Sequence, residues 1–305
     1  MKRRDFILKT IGAGVFLGTS AGIGKHATAL ASDSNGLPYD LVAIRGGGAA
    51  EMFERGIAAL GGMEKFVQPG QSVVIKPNAS FDLPPERAAN TNPELVGRIV
   101  KHCLEAGASR VRVFDHTLDN WRECYSRSGI EKAVTEAGGQ MVPANAERFY
   151  REVEIPRGKR LTSTKEHELL QDSDVYINVP VLKHHGGASL SVAMKNMMGN
   201  VWDRVYYHRN DLHQCITDYA TYRKPDLNIV DAYRVMMRNG PRGTSVEDVV
   251  TMEAQVISTD VVAADAASSL LFGLQPGEVG HIRIGQEMGI GTLDLENLNI
   301  SRLRI

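Results

Sequence analysis

The sequence predicts an α/β fold, a largely parallel, Rossmann-like sheet covered by helices on both faces. Three observations predict it. Short apolar runs alternate with stretches of helical spacing along most of the chain. The runs are continuously apolar, as strands buried on both faces are, rather than alternating. The composition is aliphatic, with 43% apolar residues and only 6% aromatic. No internal repeat, low-complexity tract or linker appears, so residues 32–305 read as a single α/β domain with a polar insertion around residues 116–170.

The elements follow in order. Leu41-Val42-Ala43-Ile44 reads as a strand and Ala50 to Leu60 as a helix. Ser72 to Ile75 is a strand ended by Lys76-Pro77-Asn78. Pro93 to Ala106 is a helix: Asn92 is placed to cap it, Pro93 suits its first turn, and Gly107 stops it. Val111 to Phe114 is a strand ended by Asp115-His116, Gly129 to Ala137 a helix, and Met141-Val142 a short strand. Val153 to Pro156 starts a hairpin returning at Arg160-Leu161. Val175 to Leu182 reads as one central strand, and Ser189 to Trp202 and Asp211 to Tyr222 as helices. Leu227 to Val230 is a strand ended by Asp231, and Gln255 to Ser258 another ended by Thr259-Asp260. Val261 to Phe272 and Gly280 to Met288 are helices, and Leu298 to Ile305 is an edge strand.

Residues 1–31 stand apart. Lys2-Arg3-Arg4-Asp5-Phe6-Ile7-Leu8 precedes a weakly apolar, Gly- and Ala-rich stretch from Ile11 to Ile23, then Ala29-Leu30-Ala31. That layout predicts a twin-arginine signal peptide cleaved after Ala31, or retained as an anchor. It implies the twin-arginine translocation machinery as a partner and a periplasmic or extracytoplasmic destination. Proteins on that route fold before they cross, commonly because they acquire a cofactor inside. Cys103, Cys124 and Cys215 are few, odd in number and widely spaced, so they read as buried thiols rather than a disulfide framework. Lys plus Arg (35) balances Asp plus Glu (36), which gives no argument for nucleic acid.

Ligands of open parallel sheets bind beyond the carboxyl ends of the strands. The residues there are Lys76, Asn78, Asp115, His116, Lys183, His184, His185, Asp231 and Asp260. The densest stretch runs from Lys183 to His213. Gly186-Gly187 offers close backbone approach to an anion, and Lys195 lies in an apolar helical setting where burial depresses an amine pKa and suits it to acid–base work. His185, His213 and Asp115 are the candidates for a divalent metal, although no His-Glu-x-x-His spacing occurs. Gly46-Gly47-Gly48 follows a strand and precedes a helix, but lacks the dinucleotide spacing. No Walker motif and no G-x-S-x-G elbow is present, and no CxxC suggests an iron–sulfur cluster.

Several pieces in sequence order carry a resemblance. They are Val-Ile-Lys76-Pro77-Asn78, Asn92-Pro93-Glu94-Leu95, Pro180-Val181-Leu182-Lys183-His184-His185, Lys195-Asn196-Met197-Met198-Gly199, Leu212-His213, Ile229-Val230-Asp231 and Ala263-Ala264-Asp265-Ala266. From about Leu41 to Ile300 the chain resembles the bacterial and archaeal family catalogued as domain of unknown function 362. Many relatives append a ferredoxin-like segment with two four-iron motifs; this chain has none, so no cluster is expected. The family is also distantly similar, at the level of fold, to the N-terminal part of nickel-pincer lactate racemases. Carried over by motif, the family positions are Lys76, Asn78, Lys183, His185, Lys195, Asn196, His213, Asp231 and Asp265, the last with a capping or pairing role as its alternative.

These readings lead to an exported enzyme acting on a small anionic substrate with a bound metal or cofactor. Lys76, Asn78, Lys183 and Asn196 would bind the anion. Lys195, His185 and Asp231 would be the catalytic groups. The alternative is a metal- or cofactor-binding maturation protein for an envelope redox enzyme.

Overall fold

The computed structural model describes residues 36–305; the signal reading at residues 1–31 lies outside them. The strands are β1 (Leu41–Arg45), β2 (Ser72–Pro77), β3 (Arg110–Val113), β4 (Gln140–Met141), β5 (Tyr150–Glu154), β6 (Ser163–His167), β7 (Val175–Val179), β8 (Val181–His185), β9 (Ser189–Ser191), β10 (Leu227–Met236), β11 (Val249–Ser258) and β12 (Ile300–Arg304). The helices are α1 (Ala49–Ala59), α2 (Pro93–Glu105), α3 (Trp121–Arg127), α4 (Ile130–Glu136), α5 (Glu168–Gln171), α6 (Ala193–Asn196), α7 (Arg204–Arg209), α8 (Leu212–Tyr222), α9 (Val261–Phe272) and α10 (Gly280–Glu287).

The main sheet has the order β12-β1-β11-β10-β7-β2-β3-β4, with β8 and β9 continuing beside β10. All neighbours along that order are parallel except β11, which runs antiparallel to both β1 and β10. The central strands present apolar residues to both faces. Val42, Ile44, Val73 and Ile75 pack under α1, α2 and α4. Leu41, Ala43, Val230 and Val256 pack under α8, α9 and α10. The helix α9 is built from Ala and Ser and is buried almost all round, so it lies close against the sheet. Asn92 caps α2 as its sequence indicates, accepting a hydrogen bond from the Glu94 N–H at 2.9 Å.

Five expectations need correction. The run from Val175 to Leu182 is two strands, because Pro180 has no N–H to continue the ladder; its carbonyl instead accepts from the Asp231 N–H. Ser189 to Trp202 is not one helix: a short strand, a single α-turn and a 3₁₀ turn divide it. The polar hairpin pairs Tyr150–Glu154 with Ser163–His167, which is longer than expected and differently registered. The strand after Leu227 runs on to Met236, so Asp231 sits inside it rather than at its end. Because β11 is antiparallel, its carboxyl end meets the amino ends of β1 and β10. Asp260 therefore lies at the opposite edge of the sheet from Lys76.

The hairpin β5–β6 is tied to the body through Glu166. That carboxylate is fully buried and accepts from Tyr219 Oη at 2.6 Å and Arg223 Nη2 at 2.9 Å. Removing one partner of such a pair leaves the other uncompensated. Glu166→Ala is expected to lower unfolding free energy by about 3 kcal/mol, measured by urea denaturation. A change below about 0.5 kcal/mol would contradict this reading of the hairpin anchor.

Candidate functional site

Three parts of the chain far apart in sequence meet at Lys76, at the carboxyl end of β2. Its Nζ lies 2.9 Å from Asp115 Oδ1, 2.6 Å from the Asn196 carbonyl and 2.9 Å from Asn196 Oδ1. The two Asn196 contacts are hydrogen bonds and the Asp115 contact is an ion pair. The other Asp115 oxygen accepts from the Ala79 N–H at 2.7 Å and the Ser80 hydroxyl at 2.8 Å. Burial lowers the Lys76 pKa, and Asp115 opposes that shift. Gly199 passes directly over the pair: a Cβ there would fall onto the Asp115 carboxylate and the Lys76 ammonium. This gives the spacing of Lys195-Asn196-Met197-Met198-Gly199 a physical reason. Asn196 grips the lysine, and Gly199 makes room for it.

Asn196 is held in turn. Its amide donates to Asn178 Oδ1 at 2.9 Å, Asn178 donates to Asn228 Oδ1 at 3.0 Å, and Asn228 reaches the Ser258 carbonyl. This buried amide ladder crosses β7, β10 and β11. Asn78 joins from the other side, donating to Asn196 Oδ1 at 3.1 Å and accepting from Lys183 Nζ at 3.1 Å. Asp265 anchors the turn that carries Lys195 and Asn196, taking the N–H groups of Ala193 at 2.6 Å and Met194 at 3.1 Å.

A cavity of about 1060 Å³ opens above this hub. Lys76, Lys183, Lys195, Arg204 and His185 line it. Lys165 also lines it, paired with Glu147; of the other four lysine and arginine cations, only Lys76 has a carboxylate partner among the described residues. Lys183 is buried, donates to Asn78 and to the Ala89 carbonyl, and stands 4.8 Å over the Phe81 ring. Burial, then the neighbouring Lys195, pushes its pKa well down. Lys195 has no hydrogen bond or ion pair among the described residues, and its amine faces the cavity. Desolvation, then Arg204 and Lys76, brings its pKa to about 7. Arg204 spends its guanidinium on the carbonyls of His116 at 2.6 Å and Thr117 at 2.9 Å.

The structure brings Lys76, Asn78, Lys183, His185, Lys195 and Asn196 together. It places the other candidates elsewhere. Asp231 accepts from the Asn92 N–H at 2.7 Å and the Tyr233 N–H at 3.0 Å, so it braces the start of α2 away from the cavity; desolvation, partly offset by those N–H groups, raises its pKa to about 6. His213 on α8 sits beside His281 on α10, 3.2 Å between their Nδ1 atoms. Asp115 is committed to Lys76, Ser80 and Ala79. His185, His213 and Asp115 thus do not converge, and among the described residues no group of three or more His, Cys, Asp or Glu is placed to hold a metal ion. His184 accepts from the Gly240 N–H at 3.1 Å and does not line the cavity.

His185 has a fixed tautomer. Its Nδ1 accepts from the Gly187 and Ala188 N–H groups, both at 3.1 Å. Burial, then Lys195 and Lys183, pushes its pKa down to about 3. The neutral ring must therefore carry its proton on Nε2. It offers the cavity a hydrogen-bond donor, with neither a free lone pair for metal nor basicity for proton abstraction. The Gly186-Gly187 turn precedes a strand, and the Gly187 N–H serves this ring. The glycines at 46–48 form a turn packed against Ile305, where Glu51 reaches back to the Gly48 N–H.

Arg204, Asn178 and Asn228 were missed in the sequence. The two asparagines did leave a signal, each being a lone amide inside an otherwise apolar strand run. Arg204 left none.

Two outcomes follow from this geometry. Gly199→Ala is expected to break the Lys76–Asp115 pair and cost at least about 3 kcal/mol of stability, read by thermal unfolding. Lys195, acetylated competitively at graded pH and followed by mass spectrometry, is expected to deprotonate near pH 7, against about 10.4 for an ordinary lysine. The unfolded chain binds more protons between those values, so this group's contribution to stability rises with pH across the window. A Lys195 midpoint above 9 would refute the account.

Comparison with known proteins places the chain. It is 26% identical over 245 residues to a protein of Synechocystis sp. described as thylakoid-associated, covering 78% of this chain and 74% of that one. Two solved structures are similar in shape. A Thermotoga maritima protein aligns with a TM-score of 0.46 and 10% identity, over 78% of this chain and 59% of that one. The lactate racemase apoprotein from Thermoanaerobacterium thermosaccharolyticum aligns with a TM-score of 0.46 and 13% identity, over 81% of this chain and 56% of that one. The chain thus spans less than two thirds of either solved structure. The model of the family described as Domain of unknown function (DUF362) matches residues 73–269, more than half of the sequence, and the chain belongs to that family.

Proposed function

We propose that this protein is an enzyme that binds a small organic anion in the cationic cavity and moves a proton on it. One observation carries the reading: among the described residues Lys195 lines the cavity with no hydrogen bond or ion pair, alongside Lys183, a buried lysine without a carboxylate partner. Two amines crowded together in a low-dielectric pocket lose protons when the pocket is empty. An anion entering it restores the charge of one amine and is bound by it. Lys183 holds the anion as the ammonium, with Asn78 orienting it, and its charge keeps the neighbouring Lys195 neutral. Neutral Lys195 is the proton acceptor, and the His185 Nε2–H supports negative charge that develops on the substrate. Lys76 and Asn196 hold the floor in shape. The donor set does not suit a metal, and no step is assigned to one.

Binding should take up protons. Titration calorimetry with acetate and inorganic phosphate, in buffers of different ionisation enthalpy, is expected to show net proton uptake above pH 7 and affinity that falls as pH rises. Chemistry is read by proton NMR in D₂O across a panel of small carboxylates and phosphates. Lys195→Ala is expected to slow carbon–deuterium exchange by about 10²-fold or more while a ligand still binds. Equal exchange in the variant would refute the proton-transfer role. Loss of ligand retention with no exchange chemistry in either protein would favour a carrier.

We also propose export by the twin-arginine route, supported by Arg3-Arg4-Asp5-Phe6 and the Ala-x-Ala site at 29–31. Replacing Arg3 and Arg4 with Lys is expected to leave the folded protein in the cytoplasm, read by fractionation. Unchanged export would refute it.

A further inference from the structure

The mouth of the cavity is as unusual as its floor. Among the described residues the exposed large apolar side chains are Leu118, Val205, Tyr206, Val246 and Ile305, and the first three, at 59%, 55% and 38% exposure, all line this cavity. Apolar side chains scattered singly over a surface need no explanation, whereas a cluster at the rim of a pocket does. The cluster is rigidly built. Arg204 ties the segment before Leu118 to the segment bearing Val205, through the His116 and Thr117 carbonyls. Tyr206 Oη donates to the Arg160 carbonyl at 2.9 Å. Trp202, stacked on the His116 ring at 4.9 Å, and Met198 continue the apolar wall inward. The volume, about 1060 Å³, suits organic ligands of drug size, which occupy pockets of roughly 300–1,000 Å³, and far exceeds what a bare phosphate needs.

We propose that the ligand of this site is an amphiphilic organic anion: one carboxylate or phosphate head on the cationic floor, joined to an apolar tail that leaves across Leu118, Val205 and Tyr206. This rests on the anion reading above and adds to it the direction and character of the rest of the molecule. The floor supplies ammonium and amide groups that match an anionic head. Among the described residues, Lys165 at the rim is paired with Glu147 at 2.6 Å, and Glu152 and Asp203 add carboxylates, so the rim disfavours a second anionic group. A tail crossing the rim covers apolar surface that water otherwise meets.

The test is a titration of the full chain with straight-chain carboxylates of two to ten carbons and the matching alkyl phosphates, below their micelle concentrations. The dissociation constant is expected to fall about two- to fourfold per added methylene until the tail clears the mouth. The double variant Leu118→Ser/Val205→Ser is expected to flatten that slope, while Val246→Ser, remote from the cavity, keeps it. A flat series in the natural protein, with acetate or inorganic phosphate still binding, overturns this inference alone. Failure of both short and long anions to bind overturns the anion reading with it. A slope that survives the double variant also overturns the inference. The carboxylate and phosphate arms identify which head the floor prefers.

Discussion

The Lys76 ammonium is the constraint on which the rest of the site depends. An ion buried this deeply costs several kcal/mol of lost hydration, and that cost is tolerable only when the charge is paired and hydrogen-bonded. Asp115 supplies the opposite charge and two oxygens of Asn196 the hydrogen-bond acceptors. Meeting that condition joins the end of β2, the loop after β3 and the turn α6, which lie up to 120 residues apart in sequence. It also dictates what stands nearby. Position 199 must lack a side chain, the Asn196 amide must be oriented, and the Asn178–Asn228 ladder orients it across the sheet. Buried polar networks of this kind are stable only when complete.

Completing the hub leaves the neighbouring cations uncompensated. Asp115 pairs with one lysine, and among the described residues neither Lys183 nor Lys195 has a carboxylate partner. Lys183 is wholly buried and Lys195 is enclosed by protein although part of its surface meets the cavity. Both therefore resist protonation, for desolvation first and neighbouring cations second, Lys195 in the case of Lys183 and Arg204 in the case of Lys195. Such an arrangement is unfavourable to the fold on its own, and perturbed amines in a crevice are more often kept for chemistry than for stability. The opposing pH trends expected for stability and anion affinity have this single origin.

The sequence was legible where one interaction dominates. The α2 helix is read from Asn92, Pro93 and its apolar stripe because capping and periodicity act locally. The site lysines are read because parallel strands put their ends on one edge. Reading failed where a distant partner decides. Nothing near Gln255–Ser258 tells that β11 runs antiparallel, and that reversal carries Asp260 to the far edge, where it caps α9 through the Val262 and Ala263 N–H groups. Asp231 looked terminal because apolar residues stop there, yet the strand continues beside β8 and β11. Lys76 looked like an anion ligand because a lysine at a strand end usually is free. Only the spatial arrival of Asp115 and Asn196 assigns its protons elsewhere.

The same principle explains why side chains, rather than backbone, face the ligand. Helix starts and glycine turns are natural anion sites because they gather unpaired N–H groups. In this molecule four of them are filled by the chain itself. Glu51 turns back on the Gly48 N–H at α1, Asp265 occupies the start of α6, Asp260 that of α9, and the His185 ring takes the N–H groups of the Gly186-Gly187 turn. A backbone dipole cannot be switched off by pH, whereas an amine can. Recognition by Lys183 is therefore coupled to a proton, and the charge it takes up keeps the neighbouring Lys195 neutral, so that one amine attracts the substrate as a cation while the other takes a proton from it.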